Sequence, residues 1–385
     1  MEKKMKINLL QEMIKIDSTN GNEKEVSTYL ENVFLAHGIK SQQVEYSEGR
    51  SSLVTEVGKG DKVLSFSGHM DVVSAGDTSE WTYAPFSGTE ANGKIYGRGA
   101  TDMKSGLAAM VVAMIELAEE KIDLKGRIRL LATVGEEVGL LGAKQLTEEG
   151  YAEGLAAMII GEPTQNHIVY AHKGVFTYTV TSRGVSAHSS MPELGVNAVD
   201  KLFVFYQELQ ESLKKLTVEN EALGKFVHNT SIVRGGNQIN SVPEKAILTG
   251  NCRTIPEFDN QQIEDLLRGL IETINKKDST SQLSLEINQS SSPMFSDKES
   301  RIVQVANHAA KTIIGKEVPV IGISGGTDAS EFSKAQQKFP IIIFGPGNAT
   351  PHQVDECVDS ENYLEMIEVY KQIAKDFLSD EQGKL

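Results

Sequence analysis

The sequence predicts an α/β protein: a mostly parallel sheet flanked by helices, with an inserted ferredoxin-like α+β domain. Three observations lead there. Short apolar strands alternate with amphipathic helices over the first 160 or so residues and run into Gly-rich ends, the pattern of a parallel sheet covered on both faces. Beyond Lys173-Gly174 the order changes to β-α-β-β-α-β, opening on an alternating strand. The length of 385 residues corresponds to two or three domains at roughly 100 to 200 residues each.

Hydrophobic periodicity assigns the elements in turn. An amphipathic start spans Ile7 to Ile16, a second helix Glu23 to His37, and a strand Lys62 to Ser67. A buried helix at Ser105 to Glu119 is followed by strands at Arg127 to Thr133 and Ala157 to Ile160. The inserted domain begins with the strand Val175 to Ser182. A long helix follows from Val196 to Leu216, with Leu202, Phe205, Leu209, Leu213 and Leu216 at helical spacing. Strands near Asn229 to Val233 and Lys245 to Arg253, a helix at Asn260 to Asn275 and a strand at Gln282 to Ile287 complete it. The Ser-rich Gln289 to Pro293 reads as the return linker, and Arg301 to Ile314 as a helix rejoining the first domain. The expected division is therefore 1–173 and 293–385 for the first domain and 174–292 for the insertion.

Composition narrows the function. With 38 Lys plus Arg against 53 Asp plus Glu, the net charge is −15, and no basic run offers a path for a phosphate backbone, so nucleic acid is not an expected partner. The apolar stretch Leu107 to Ile115 is far shorter than the roughly 18 residues a membrane span requires. After the basic Met1 to Lys6, the residues Gln11, Glu12 and Lys15 fall where an export signal is apolar, so no signal is expected. The two cysteines, Cys252 and Cys357, are too few for a disulfide framework and fit the cytoplasm.

Polar residues that carry chemistry gather at the ends of the predicted strands, where an open parallel sheet collects ligands. The first strand empties into Gly68-His69-Met70-Asp71, and Asp71 is placed to orient the imidazole of a metal-ligating His69, although a turn His beside a turn Asp has the same spacing. Asp102 lies in Gly97 to Gly106 directly before the buried helix, where an N-cap is the plainer reading. Glu136 and Glu137 follow the strand Arg127 to Thr133, and two adjacent acids there demand a compensating charge if they are buried. Glu162 follows Met158 to Ile160, and His352 lies beyond Ile341 to Phe344. His, Asp, Glu-Glu, Glu and His at five such positions point to a metal centre.

These residues resemble the M20 metallopeptidase and deacylase family. The resemblance is carried by Ser67-Gly-His69-Met-Asp71, Trp81 to Phe86, Gly97 to Gly106, Gly135-Glu-Glu137, Gly161-Glu-Pro163, Ala187-His188-Ser189, Gly325-Gly-Thr-Asp328 and His352 to Glu356, nearly the whole chain. It implies two divalent ions per subunit, one held by His69, Asp102 and Glu162 and the other by Asp102, Glu137 and His352, with Asp102 bridging. Mixed nitrogen and oxygen ligands suit Zn²⁺, with Co²⁺ or Mn²⁺ as substitutes. Glu136 is then the general base of amide hydrolysis. The family also implies a homodimer through the inserted lid domain, with His188 reaching across to stabilise the oxyanion. Asn240, Arg253, Gly326 and Thr327 correspond to its substrate-binding residues. The peptide between Asp102 and Met103 is expected to be cis, because the bridging carboxylate must face both ions while a helix begins at Ser105.

Within the family the resemblance is closest to Gram-positive-type probable succinyl-diaminopimelate desuccinylases. That implies a cytoplasmic enzyme of lysine and diaminopimelate biosynthesis, acting on N-succinyl-LL-2,6-diaminopimelate. Gly326-Thr-Asp-Ala-Ser-Glu-Phe332 departs from the Gly-Thr-Ser-Asp-Gly-Arg-Phe of proteobacterial desuccinylases and lacks its Arg. Acetylornithine deacetylase, an M20 dipeptidase or carboxypeptidase, and a degenerate ligand-binding module are the alternatives.

Overall fold

The computed structural model describes residues 1–120 and 124–379. The chain opens with α1 (Lys3–Lys15), α2 (Glu23–Ala36), β1 (Ser41–Ser47), β2 (Arg50–Gly58) and β3 (Lys62–His69), followed by a small hairpin of β4 (Thr89–Ala91) and β5 (Lys94–Tyr96). Then come α3 (Lys104–Glu119), β6 (Gly126–Thr133), α4 (Leu141–Glu148), β7 (Leu155–Pro163) and β8 (Ile168–His172). The middle holds β9 (Gly174–Arg183), α5 (Ala198–Lys214), β10 (Glu219–Asn220), β11 (Gly224–Lys225), β12 (Val227–Gly235), β13 (Lys245–Thr254), α6 (Asn260–Lys277) and β14 (Gln282–Ser291). The chain closes with β15 (Met294–Phe295), α7 (Arg301–Ile314), β16 (Val320–Ile323), α8 (Ala329–Phe332), β17 (Ile341–Gly345), β18 (Cys357–Asp359) and α9 (Ser360–Leu378).

Two compact units result. One comprises residues 1–170, 295–321 and 327–385, the other residues 171–294 with 322–326. The large sheet runs β1-β2-β6-β3-β7-β17-β8-β15. Its centre is parallel, from β6 through β3 and β7 to β17, and antiparallel pairings lie outside that core. Parallel central strands are apolar on both faces, and β3 is buried at every position after Lys62. Helix α3 is buried almost all round, from Lys104 to Leu117, because α1, α9, β3 and β7 surround it. Helices α7 and α9 pack together, while α2 lies on β2 and α4 on α8.

The second unit is an antiparallel sheet in the order β12-β13-β9-β14 with α5 and α6 packed on it, the ferredoxin-like arrangement. Asn197 caps α5 through the amides of Val199 and Asp200, and Asp259 with Gln262 forms a capping box on α6. Leu202, Phe205 and Leu209 form the buried stripe of α5, whereas Leu216 lies beyond its end. The expected linker at 289–293 is corrected: Gln289, Ser290 and Ser291 continue β14, paired with Thr177, Phe176 and Val175. The Asn260 amide explains the extension, donating to Ser290 Oγ (3.0 Å) and to the Ser291 carbonyl (3.1 Å).

Three helices of the first unit meet at one buried acid. Glu116 of α3 accepts from Lys6 of α1 at 2.8 Å and Lys371 of α9 at 2.9 Å. Burial pushes its carboxyl up, but hydrogen bonds from Lys6, the Met1 amine and Lys371 prevail and hold it at about 2. A folded-state value below the ordinary 4.5 means that the stability Glu116 contributes is complete above pH 4.5 and is lost as the pH falls towards 2. Glu116→Gln should therefore lower the urea midpoint at neutral pH, and its deficit should shrink by about half by pH 3. A deficit of constant size across that range would contradict the assignment.

Candidate metal centre

The parallel strands β6, β3, β7 and β17 send their C-terminal ends to one edge of the sheet. His69 is the last residue of β3, paired with Thr133, and not a residue past the strand. Glu162 likewise lies within β7, which runs on to Pro163. Glu136 and Glu137 follow β6, and His352 lies in the loop after β17. Asp102 comes from a different source, the segment between the β5 hairpin and α3. It does not cap the helix, whose N-cap is Met103 with no side-chain bond. The Asp102–Met103 peptide is cis, as expected.

Asp102 stands between the two imidazoles. Its Oδ1 is 3.2 Å from His69 Nε2 and its Oδ2 is 3.4 Å from His352 Nε2. His69 Nε2 also faces Glu162 Oε1 at 3.6 Å, and His352 Nε2 faces Glu137 Oε1 at 3.0 Å. Donor atoms of His69, Asp102 and Glu162 lie within 4.8 Å of one another, as do those of Asp102, Glu137 and His352. A third grouping, His69 with Glu136 and Glu137, meets the same limit. Cys252 and Cys357 are buried free thiols outside all three groupings.

The electrostatics of this cluster favour a cation. Burial pushes the carboxyls of Glu136 and Glu162 well above the usual range, and neighbouring acids add to it: Asp328, Glu137 and Asp102 for Glu136, and Asp102, Glu136 and Glu137 for Glu162. Burial also raises Glu137. Burial opposes ionisation of Asp102 too, yet hydrogen bonds from His352 and His69 hold its carboxyl below the ordinary value. His69 is buried, which would push its imidazole down, but Glu162, Asp102 and Asp71 pull it up. Positive charge is therefore favoured at Nε2, the nitrogen left facing the acids once Nδ1 donates to the Asp71 carbonyl at 2.9 Å. The donor set of imidazole and carboxylate fits divalent metal ions of the zinc, cobalt or manganese kind.

Asp71 does more than stand beside His69. Its Oδ1 is 3.5 Å from His69 Nδ1, while its two oxygens accept the amides of Glu136 (3.0 Å) and Glu137 (3.1 Å). The same loop is held one residue earlier by Glu23, whose carboxylate pairs with Arg50 and accepts the Gly135 amide at 3.1 Å. Sequence reasoning missed Glu23, because its partners lie far along the chain. It named Asp328 only as the end of the Gly325-Gly-Thr-Asp328 motif and gave it no role; this buried acid is bound by the Thr133 hydroxyl at 2.6 Å and pushed up to about 7 by burial.

The remaining expected residues divide between the units. Thr327, in the first unit, is buried and its hydroxyl accepts the Ala329 amide, so this oxygen opens α8. Gly326 belongs to the second unit, as do His188, Asn240 and Arg253. There His188 bridges to Ser241, and the Asn240 carbonyl accepts the Ser189 amide at 3.0 Å, which brings His188 and Asn240 together. His188 Nδ1 accepts from the Ser190 amide and lies 2.7 Å from its hydroxyl, leaving an exposed Nε2–H as donor. Arg253 is not with them. It pairs with Val175 at the start of β9, while Arg183 and Lys245, next to the His188 segment, form the other end of that ladder. Eight residues of strand amount to about 27 Å.

Imidazoles and carboxylates clustered at the C-terminal edge of a parallel sheet define a metal-dependent hydrolase by fold and site. The model of peptidase family M20/M25/M40 matches residues 65–376, and the chain belongs to that family. It is 40% identical over 399 residues to a probable succinyl-diaminopimelate desuccinylase of Staphylococcus epidermidis, covering 97% of this chain and 98% of the relative. Its fold is similar to that of an M20 family metallo-carboxypeptidase of Sulfolobus solfataricus (TM-score 0.79, 21% identity, 97% and 99% of the two chains). It is also similar to a dinuclear metal binding M20 peptidase of Bacillus subtilis (TM-score 0.72, 17% identity, 98% of each chain).

One close approach beneath the site is open to mutation. Gly106 of α3 meets Gly161 of β7, and a Cβ at Gly106 would fall 1.9 Å from the Gly161 carbonyl oxygen, next to Glu162. Gly106→Ala should lower stability by roughly 1–3 kcal/mol, the ordinary cost of overpacking. An unchanged denaturation midpoint would show that α3 and β7 are not in contact there.

Proposed function

We propose that this protein is a two-metal amide hydrolase that removes the acyl group from N-acyl amino acids, with N-succinyl-LL-2,6-diaminopimelate as its substrate, in the cytoplasm. The observation that carries the reading is the position of Asp102 between His69 and His352, with Glu162 and Glu137 completing two donor sets that share one carboxylate. His69, Asp102 and Glu162 would hold one ion and Asp102, Glu137 and His352 the other, with zinc the natural occupant and cobalt or manganese as substitutes. When bound, such ions polarise the scissile carbonyl and acidify water.

The chain's own residues do the rest. Glu136 is the acid that neither donor set requires, and burial among other acids makes it a willing proton acceptor. It takes the proton of the attacking water and passes it to the amine nitrogen as the C–N bond breaks, releasing a carboxylate and an amine. Asp71 fixes the backbone of Glu136 and Glu137 while standing beside His69. His188 offers its Nε2–H to the oxyanion. Arg253, Asn240, Gly326 and Thr327 receive the substrate's carboxylates. The separation of His188 and Asn240 from Arg253 along the same ladder supports a homodimer in which each chain lends His188 and Asn240 to its partner's site. The edge strand β12 and helix α5 offer exposed apolar residues for that pairing, Ile232 and Val233 on the strand and Phe203 and Val204 on the helix.

The Staphylococcus epidermidis relative's name supports the succinyl substrate. The missing Arg at 326–332 favours a second reading, acetylornithine or a dipeptide, so kcat/KM for the three substrates on the zinc-loaded protein decides the acyl group. A clear preference for either alternative would overturn the first. Chelation should abolish hydrolysis and added zinc or cobalt restore it. Glu136→Gln should keep its metal and lose about 10² to 10⁴ in kcat, and near-normal turnover would remove Glu136 from the mechanism. Mixing inactive Glu136→Gln with inactive His188→Ala should produce mixed dimers with one intact site each. If subunit exchange is verified and no activity returns, His188 acts within its own chain.

A further inference from the structure

Two metal-ligand segments that are 250 residues apart share one buried ion pair that the reaction itself does not use. Glu356 is fully buried and accepts four hydrogen bonds: from Arg98 Nη1 at 2.6 Å, and from the amides of Gly99, Thr101 and Asp102 at 3.1, 2.9 and 2.9 Å. It therefore fixes the backbone that presents Asp102. Arg98, 2% exposed, extends the connection in the other direction, donating from Nη1 to the Gln353 carbonyl at 3.2 Å and from Nη2 to the His352 carbonyl at 3.4 Å. His352 has φ +63°, a conformation that a non-glycine residue adopts only when its surroundings hold it there. Two planar groups complete the stack: the guanidinium carbon lies 5.2 Å from the centre of the Trp81 ring, and the Trp81 indole N–H is tied to the Ala75 carbonyl at 2.9 Å. Trp81 is the only tryptophan in the chain.

We propose that Arg98, held between Trp81 and Glu356, is a positioning residue that couples the His352 loop to the Asp102 segment and sets the affinity of the ion shared by Asp102, Glu137 and His352; this rests on the two-ion reading above. The other donor set depends on it less, because His69 and Glu162 are carried by the central strands β3 and β7. Lysine cannot replace the guanidinium, since a single ammonium lacks the fork that reaches one carboxylate and two carbonyls and has no plane to stack on the indole. Trp81 becomes a built-in reporter: fixing His352 on an ion fixes Arg98 against the indole.

The test is a Zn²⁺ titration of the metal-free full chain, followed by calorimetry and Trp81 emission, for the wild type, Arg98→Lys and Arg98→Met. The wild type should bind two ions, with the emission changing in one step, the filling of the site that includes His352. Arg98→Met should weaken that step by about 10- to 100-fold, the scale of lost support behind a metal ligand, and leave the other step within about 3-fold; Arg98→Lys should fall between. If the wild type binds fewer than two ions, the two-ion reading fails whatever Arg98 does. If it binds two and Arg98→Met binds both with wild-type affinities, or weakens both equally, the coupling is overturned and the reading stands. Should neither variant fold, the wild-type emission decides alone: no change in either step overturns the proposal.

Discussion

Negative charge crowded against the edge of a hydrophobic sheet is the constraint on which the rest of this protein depends. Asp71, Asp102, Glu136, Glu137 and Glu162 converge there with His69, all buried or half-buried, and the anions cannot all persist unaided. Two imidazoles answer part of that charge, and the donor geometry leaves places for dications to answer the rest. The apolar burial of α3 and the central strands beneath the site offsets the cost of this concentration.

Holding such a cluster falls to side chains that never touch a reacting atom. Strands β3 and β7 present His69 and Glu162 directly, with the rigidity of a central sheet. The other residues lie on irregular segments: the His352 loop is held through its carbonyls by Arg98, and the other two segments are held by buried acids that accept backbone amides. Asp71 and Glu23 grip the Glu136–Glu137 loop, and Glu356 grips the Asp102 segment. Carboxylates suit this work because one group accepts several amides at once, and their charge is answered by Arg50 and Arg98. The protein thus uses acidic residues twice, for the centre and for the frame around it.

The amino-acid sequence makes much of this legible. β-α alternation and apolar strands foretell a parallel-centred sheet, and the Gly-flanked His and acidic residues after those strands foretell where the chemistry gathers. Less legible is whatever depends on partners distant in sequence. Glu23 and Glu356 look like ordinary surface acids until Gly135 or Arg98 is brought to them. The β1–β2 hairpin is too polar on its outer strand to stand out by periodicity. Helix α9 is different: Tyr363, Met366, Ile367, Tyr370, Ile373, Ala374 and Phe377 carry a plain helical pattern that is legible in the sequence. Asp102 shows the limit of local reasoning, since its N-cap spacing is real while its side chain turns to the two histidines.

Anomalous diffraction at the zinc edge, from crystals of the zinc-loaded protein, tests the central claim most directly. The account predicts two peaks per chain, one ligated by His69, Asp102 and Glu162 and the other by Asp102, Glu137 and His352, with Asp102 bound to both. A single peak, or two peaks that do not share Asp102, would contradict it.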